Sequence, residues 1–400
     1  MNRTWKMVNG NRMILPVILM FWMGLSILGC GTKKVRVAQF NIYEMSTLKI
    51  IDVDSTGRGR NEQLKAAAEI IRRINPDILL INEIDHDMEA VYAGEDLSLN
   101  VQRFLETYLD KGNGAFLYPY IYMAPCNTGF LSGKDLDNNG KIATVEDQFS
   151  RDHGGDCFGY GEYPGQYSMA IVSRFPFQID KARTFQYFLW KDYPDNLIPD
   201  NWYSEDEIAI FRLSSKSHWD VPVQIGEKVI HLLAAHPTPA GYDGPEDRNG
   251  RRNYDEIGMW AHYLNNDSVL VDDKGQRGGL AENESFIVMG DMNASPQGDT
   301  VAAGKRSIDQ LLNHPRIHDC GALLTSRGAL KGRNPGPPEY CERHTTEWRE
   351  ESSRIDHLLP SKDLKPIRGG VFWPDASEDP QGAALAKKAS DHRMIWLDLE

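Results

Sequence analysis

The sequence predicts a mixed-sheet domain in the α/β (α+β) range. Three observations carry that expectation. Apolar strand-like runs alternate with amphipathic helical stretches, they do so without a strict βαβ rhythm, and no linker, repeat or low-complexity tract divides the chain. Of 400 residues, 41% are hydrophobic and 25% charged, the balance of a globular protein rather than a disordered one. Five Cys are too few for a disulfide scaffold. The 44 Lys and Arg against 57 Asp and Glu give a net charge of −13, which argues against nucleic-acid binding by a broad basic surface. A local basic cleft stays compatible with it.

Taken in order, Val35–Ile42 reads as a strand, and Glu62–Ile74 as a helix with apolar spacing near 3.6 residues. Asn75-Pro76-Asp77 ends that helix before a short buried strand, Ile78–Ile81. Val101–Leu109 reads as a helix, and 125–166, rich in Gly, Asp and Asn, as an inserted loop. Ser168–Ser173 is a strand, and 184–220 is irregular and aromatic. Val229–Ala235 is a strand running into His236, and Arg251–Leu264 a helix. Phe286–Met289, Ile355–Leu359 and Met394–Leu399 complete the strands.

Residues 1–29 read as an export signal outside the fold. Arg3, Lys6 and Arg12 precede the apolar run Ile14–Leu28, which is short for a membrane span and contains Pro16 and Gly24. The run closes on Ile27-Leu28-Gly29-Cys30, which resembles a bacterial lipobox. Cys30 would then be lipidated and become the N-terminus of an extracytoplasmic, membrane-anchored lipoprotein, in the periplasm or on the outer surface of a bacterium. Processing there removes three cations and no acid, taking the charge from −13 to −16. Export also permits disulfides. Cys126, Cys157, Cys320 and Cys341 allow three pairings. The nearest-neighbour one, Cys126–Cys157 with Cys320–Cys341, would staple two loop-rich stretches, and free buried thiols are the other reading.

Polar residues cluster where apolar strands end, the place where loops on a rigid scaffold carry function. They are Asn41, Glu83, His236, Asp291 with Asn293, Asp356, and Asp391 with His392. Singly, each has a structural reading: an acidic run for Glu83, a turn for Asp291-Met292-Asn293, a core histidine for His236. Together, the stretches AQFNI, INEID, MAIVSRFP, LLAAHPTP, FIVMGDMNASP, SRIDHLLP and SDHRMIWLDL resemble the endonuclease/exonuclease/phosphatase superfamily over residues 35–400. The resemblance implies a four-layer α-β-β-α sandwich of two packed mixed sheets, with the active site at one end.

It also implies roles, which chemistry supports. A phosphoester repels hydroxide, and a hard cation such as Mg²⁺ or Mn²⁺ on a few carboxylates neutralises that charge. Glu83 is the leading ligand, with Asn41 and Asp391. Asp291 and His392 are candidates to activate water, with Asp356 setting the charge and tautomer of His392. Asn293 would hydrogen-bond phosphate or nucleophile, and His236 would stabilise charge on phosphate oxygens. In relatives the His236 position is Asn in abasic-site endonucleases but His in pancreatic deoxyribonuclease and the sphingomyelinases.

Two features lie beyond that pattern. Arg248, Arg251 and Arg252 form a basic spot after His236. Arg248 and Arg252 are substrate-binding candidates, and ion pairs to Glu246, Asp247 or Asp255 are the alternative. Lys216-Ser217-His218 offers a further phosphate contact. Asp135–Glu146 matches D-x-D-x-N-G-x₅-E, a 12-residue Ca²⁺ loop. Asp135, Asp137, Asn139, the Lys141 carbonyl and Glu146 would be the ligands, with Ile142 turned to the core. Weak flanking helices make it an isolated loop within 125–166.

The function expected is a metal-dependent phosphoesterase cleaving a phosphodiester in nucleic acid or a phospholipid head group. A phosphomonoesterase acting on an inositol or sugar phosphate and a non-catalytic calcium-binding surface module are the alternatives. No protein partner is evident.

Overall fold

The computed structural model describes residues 34–110, 118–298, 300–301, 304–332, 337–348 and 351–400. Residues 1–29, expected to be an export signal, and Cys30 lie outside them. The strands are β1 Val35–Met45, β2 Ile78–Ile84, β3 Tyr120–Tyr122, β4 Ser168–Ser173, β5 Arg183–Thr184, β6 Trp219–Ile225 and β7 Lys228–Ala234. They continue with β8 Ser285–Asp291, β9 Thr346–Trp348, β10 Glu351–Ser353, β11 Asp356–Pro360, β12 Pro366–Val371 and β13 Ile395–Leu399. A six-stranded sheet has the order β12-β13-β1-β2-β4-β3 and a five-stranded sheet the order β11-β8-β7-β6-β5. Both are mixed: β1 runs parallel to β2 and β7 parallel to β8, amid antiparallel neighbours.

Period-two alternation sorts each strand's side chains onto two faces. Val35, Val37, Ile78, Leu80, Met169 and Ile171 of the first sheet meet Val221, Ile230, Leu232, Ile287, Met289 and Leu358 of the second. The alternate set of the first sheet, Phe40, Ile42, Leu79 and Ile81, packs under Leu64, Ala67, Ile70 and Ile71 of the helix Glu62–Ile74. Asn61 caps that helix, accepting from the Leu64 N–H at 3.1 Å, and Asn75 ends it in the left-handed region (φ 52°). The outer face of the second sheet, Leu233, Phe286 and Val288, packs against Ile257, Trp260 and Leu264 of the helix Arg248–Leu264. This is the four-layer α-β-β-α order.

Several expectations change. The helix over 101–109 is α-helical only through Phe104. Leu105–Asp110 widens into a π-turn whose Tyr108 carbonyl accepts from Arg72 at 2.5 Å. The irregular aromatic stretch 184–220 adds to the core, since Phe185, Trp190, Phe211 and Leu213 are buried in the second sheet's outer layer. The disulfide pairing is not found. All four cysteines are free and buried, and Cys157 Sγ donates to the His153 carbonyl at 3.0 Å. Among the described residues, no helix is long and apolar enough to cross a membrane.

Candidate active site

The alternation that builds the inter-sheet core also builds the site. Gln39 and Asn41 continue the inward set of Val35 and Val37, Asp291 that of Ile287 and Met289, and His236 that of Leu232 and Ala234. On β11, Asp356 shares its face with Leu358. Each inward register is apolar in mid-strand and polar at one end. Glu83 breaks the pattern. By parity it belongs to the helix side with Ile81, but its backbone takes φ 63° at the shift in β2 pairing between Asn82 and Ile84. That left-handed kink sets its carboxylate beside Asn41, whose amide donates to Glu83 Oε1 at 2.9 Å and to Asp291 Oδ2 at 3.0 Å. The Glu44 N–H holds Glu83 Oε2 at 2.9 Å.

Asp291 is the hub. His236 Nε2 lies 3.5 Å and His392 Nε2 3.6 Å from its Oδ2, while its Oδ1 accepts from the Asn293 N–H at 2.9 Å. Asp356 Oδ2 pairs with His392 Nδ1 at 2.9 Å. Glu83, His236 and Asp291 form one cluster able to hold a metal ion, and Asp291, Asp356 and His392 a second. Asn41 Oδ1 is buried without a hydrogen-bond donor, and an unpartnered amide oxygen beside a carboxylate suits a hard cation. Asp391 stands outside both clusters, with Ser390 Oγ 3.3 Å from its Oδ1. Asn293 donates its side-chain amide to the Pro237 carbonyl at 3.1 Å, which ties the Asp291 turn to the His236 loop.

Electrostatics separate the two histidines. Burial drives His236 well below the usual histidine range, helped by Lys216 and His392, and leaves it neutral. Burial opposes the charged form of His392 too, but Asp356 and Asp291 outweigh it and hold the ring as an imidazolium. Burial raises Asp291 to about 7, His392 pulling it down and Asp356 pushing it up. A carboxylate near neutrality beside a charged imidazole is a pair able to exchange protons at physiological pH.

Of the two substrate-binding arginines expected after His236, Arg252 is turned into the core and Arg248 is ion-paired at the surface. Arg248 pairs with Glu246 and lies over the Trp202 ring. Arg252 is buried and donates to the carbonyls of Leu213, Phe158 and Arg212 at 2.9, 2.6 and 2.9 Å. The helix begins at Arg248, three residues earlier than expected, and Arg252 lies on its buried face with Asn253 and Glu256. His218 is structural, its Nε2 2.9 Å from the Glu256 carbonyl. Lys216 is buried within electrostatic reach of Glu256, Glu83 and Asp291.

The loop Asp135–Glu146, expected to bind Ca²⁺, gathers its carboxylates differently from the motif. Asp135 and Asp137 gather with Asp156, not with Glu146. Glu146 is exposed and accepts from Thr144 Oγ1 at 2.6 Å. Asp156 is buried and accepts from the N–H groups of Leu136 (2.8 Å) and Ala143 (2.6 Å). The Asn139 oxygen accepts from the Lys141 N–H at 2.8 Å, and Ile142 is exposed rather than turned to the core.

Three functional residues escaped the sequence reading. Gln39 donates to Asn82 Oδ1 and Asp356 Oδ1, both at 2.9 Å. Its signal was present, a polar residue in the inward register of β1. Glu256 accepts from the Ser215 and Thr238 N–H groups, both at 2.6 Å, and so clamps the loops carrying Lys216 and His236. Buried Arg252, Asn253 and Glu256 on one helix face were the clue. Asp156, 21 residues after Asp135, had no local signal.

The family model described as endonuclease/exonuclease/phosphatase matches residues 38–392. Among solved structures, an endonuclease/exonuclease/phosphatase from Beutenbergia cavernae DSM 12333 is 16% identical with TM-score 0.51, covering 92% of this chain and 71% of that one. TDP2 from Caenorhabditis elegans is 14% identical with TM-score 0.45, covering 92% and 74%. A mannosyl-6-phosphatase from Bacteroides thetaiotaomicron VPI-5482 is 13% identical with TM-score 0.46, covering 92% and 99%. No curated protein matches the sequence.

Proposed function

Because this chain belongs to the endonuclease/exonuclease/phosphatase family, whose members are metal-dependent hydrolases of phosphoester bonds, we propose a specific division of labour for its site. One observation carries the proposal: the unbroken series Glu83, Asn41, Asp291, His392, Asp356 across the two sheets.

Glu83 and Asn41, with Asp391 farther out, would hold Mg²⁺ or Mn²⁺, which supplies Lewis-acid neutralisation of phosphate charge when bound. Asp291 takes a proton from the attacking water, which its pKa near 7 suits. His392, kept cationic by Asp356, offers an N–H to a phosphoryl oxygen and steadies the charge that develops there. Neutral His236 adds a second donor, and Asn293 holds the Asp291 turn in register. No covalent intermediate is needed.

The test is a panel of plasmid DNA, RNA, a chromogenic phosphodiester, a phosphomonoester, an inositol phosphate and sphingomyelin, with Mg²⁺, Mn²⁺ or Ca²⁺. His392→Ala and Asp291→Asn should each lose about 10²–10⁴-fold in kcat while staying folded. Full activity in both purified variants would sink the mechanism. Stoichiometric binding to a surface partner, with no turnover, would favour the non-catalytic alternative.

The exported, lipid-anchored placement through Cys30 is part of the same reading. It rests on the basic n-region, the apolar run and the lipobox-like ending. Cys30→Ala should release the protein from the membrane fraction. Ca²⁺ would occupy the loop around Asp135 and Asp137, in a structural role.

A further inference from the structure

The mouth of the site is ringed by aromatic side chains from three separate elements. Tyr43 lies two residues beyond Asn41 and is 43% exposed. Tyr242 follows the His236 loop with φ 62° and is 72% exposed. Trp348 ends β9 and is 42% exposed. β9 lies against the His392 segment: Thr346 bridges to His392, and the Glu347 N–H donates to the Asp391 carbonyl at 2.9 Å. The Tyr242 and Trp348 rings meet edge-on, with centroids 6.1 Å apart and planes at 65°. Tyr43 feels the charges of Glu44, Asp391 and Glu83 and the phenol of Tyr242, which places it on the same rim.

Single exposed aromatics are ordinary, but three on one rim are a surface with a purpose. Two rings set at an angle form a corner in which a flat group stacks on one face and meets the other edge-on.

The surrounding charge narrows what that group belongs to. A polynucleotide needs cations for the phosphates flanking the scissile one. Among the described residues at this end, Arg248, Arg252 and Lys49 donate to protein groups, Arg393 donates to the Ser390 and His392 carbonyls at 2.7 and 3.0 Å, and Lys216 is buried beside Glu256. Glu44, Glu83 and Asp391 bring negative charge to the same end, while Glu347 pairs with Arg393 at 3.5 Å.

We infer that Tyr242 and Trp348 form a stacking platform for a compact phosphoester whose ring, a nucleobase or a sugar, lies next to its single phosphoryl group. This rests on the phosphoesterase reading and adds the substrate class.

The experiment compares four substrates with Mg²⁺ present: a nucleoside monophosphate, a hexose phosphate, glycerol phosphate, which has no ring, and a single-stranded oligonucleotide. The wild-type protein should prefer a ring-bearing compact ester to both glycerol phosphate and the oligonucleotide. Tyr242→Ala and Trp348→Ala should each lower the ring-bearing to ring-less ratio of kcat/KM by about 10–100-fold. Tyr242→Phe and Trp348→Phe, which keep a flat ring, should restore most of it. A larger effect on the nucleotide than on the hexose assigns the ring as a base, and the reverse assigns a sugar.

A ratio unchanged in both alanine variants overturns the platform while leaving the phosphoesterase reading intact. A wild-type preference for the oligonucleotide overturns the compact substrate. No turnover of these four by a wild-type protein that hydrolyses the chromogenic phosphodiester or sphingomyelin overturns the compact ring-bearing substrate alone, and no turnover of those diesters either overturns both readings.

Discussion

His86 shows how one buried group sets a local dependence on acid. It lies beneath the catalytic end, with its Nε2 3.0 Å from Ser168 Oγ. Burial pulls its pKa down to about 4. The unfolded chain protonates this histidine near ~6.5 while the fold keeps it neutral, so between those values the unfolded state binds the extra proton. Its contribution is therefore present at neutral pH and lost as pH falls toward 4, by about 3 kcal/mol in all. Its neighbour runs the other way. Burial raises Asp85 to about 7, so Asp85 opposes stability increasingly as pH rises from the ordinary carboxylate range. The two nearly cancel in the wild-type protein, and only a variant separates them. With His86→Gln, the stability gap to wild type should shrink by about 3 kcal/mol between pH 7 and pH 4 in urea titrations. A gap that stays constant across that range would show that His86 is not held neutral.

At the scale of elements, the strands were legible because two-residue alternation is written directly in their sequence. The polar ends of the inward registers told where β1, β7, β8 and β11 deliver Asn41, His236, Asp291 and Asp356. The register did not tell that Glu83 reaches the same place through a left-handed kink, since parity put it on the other face. Helix faces were harder to read. The Arg248–Arg252 segment offered phosphate-binding candidates, yet Arg252 falls on the helix's buried face, under loop carbonyls. The same helix carries Glu256, whose carboxylate ties the Ser215 and Thr238 N–H groups together. Removing it leaves two buried donors unpaired and takes an anion from beside Lys216. Glu256→Ala should cost about 3 kcal/mol of stability. Below its melting temperature it should also slow kcat by roughly 10²-fold, because the loops bearing Lys216 and His236 lose their common anchor. Unchanged kcat in a merely less stable protein would reduce Glu256 to a packing role.

The whole molecule carries its acidity unevenly. Part of the net −13 is gathered at the catalytic end, and part at a second place some distance along the chain, where Asp135, Asp137 and Asp156 converge. The 12-residue motif located two of those carboxylates and expected Glu146 as the third, where the fold brings Asp156 instead. A contact between loop positions 135 and 156 depends on how the insertion folds back, and no spacing rule encodes it. The four free cysteines leave this insertion without a covalent staple, so its order depends on hydrogen bonds and on any cation it holds. Burial already raises Asp137, with Asp135 adding to it, and a divalent ion would relieve that repulsion. An extracellular-type site with Kd of ~10⁻⁴–10⁻³ M would stabilise the fold by about 1–3 kcal/mol at ~10 mM Ca²⁺. That corresponds to a rise of a few degrees in melting temperature over an EGTA-treated sample. Asp156→Asn should abolish the rise, because it removes the charge while an amide oxygen can still accept from the loop. Glu146→Gln should keep it in full, since Glu146 points its carboxylate to Thr144 instead. A rise lost with Glu146→Gln but kept with Asp156→Asn would restore the ligand set read from the motif and overturn the one the fold assembles.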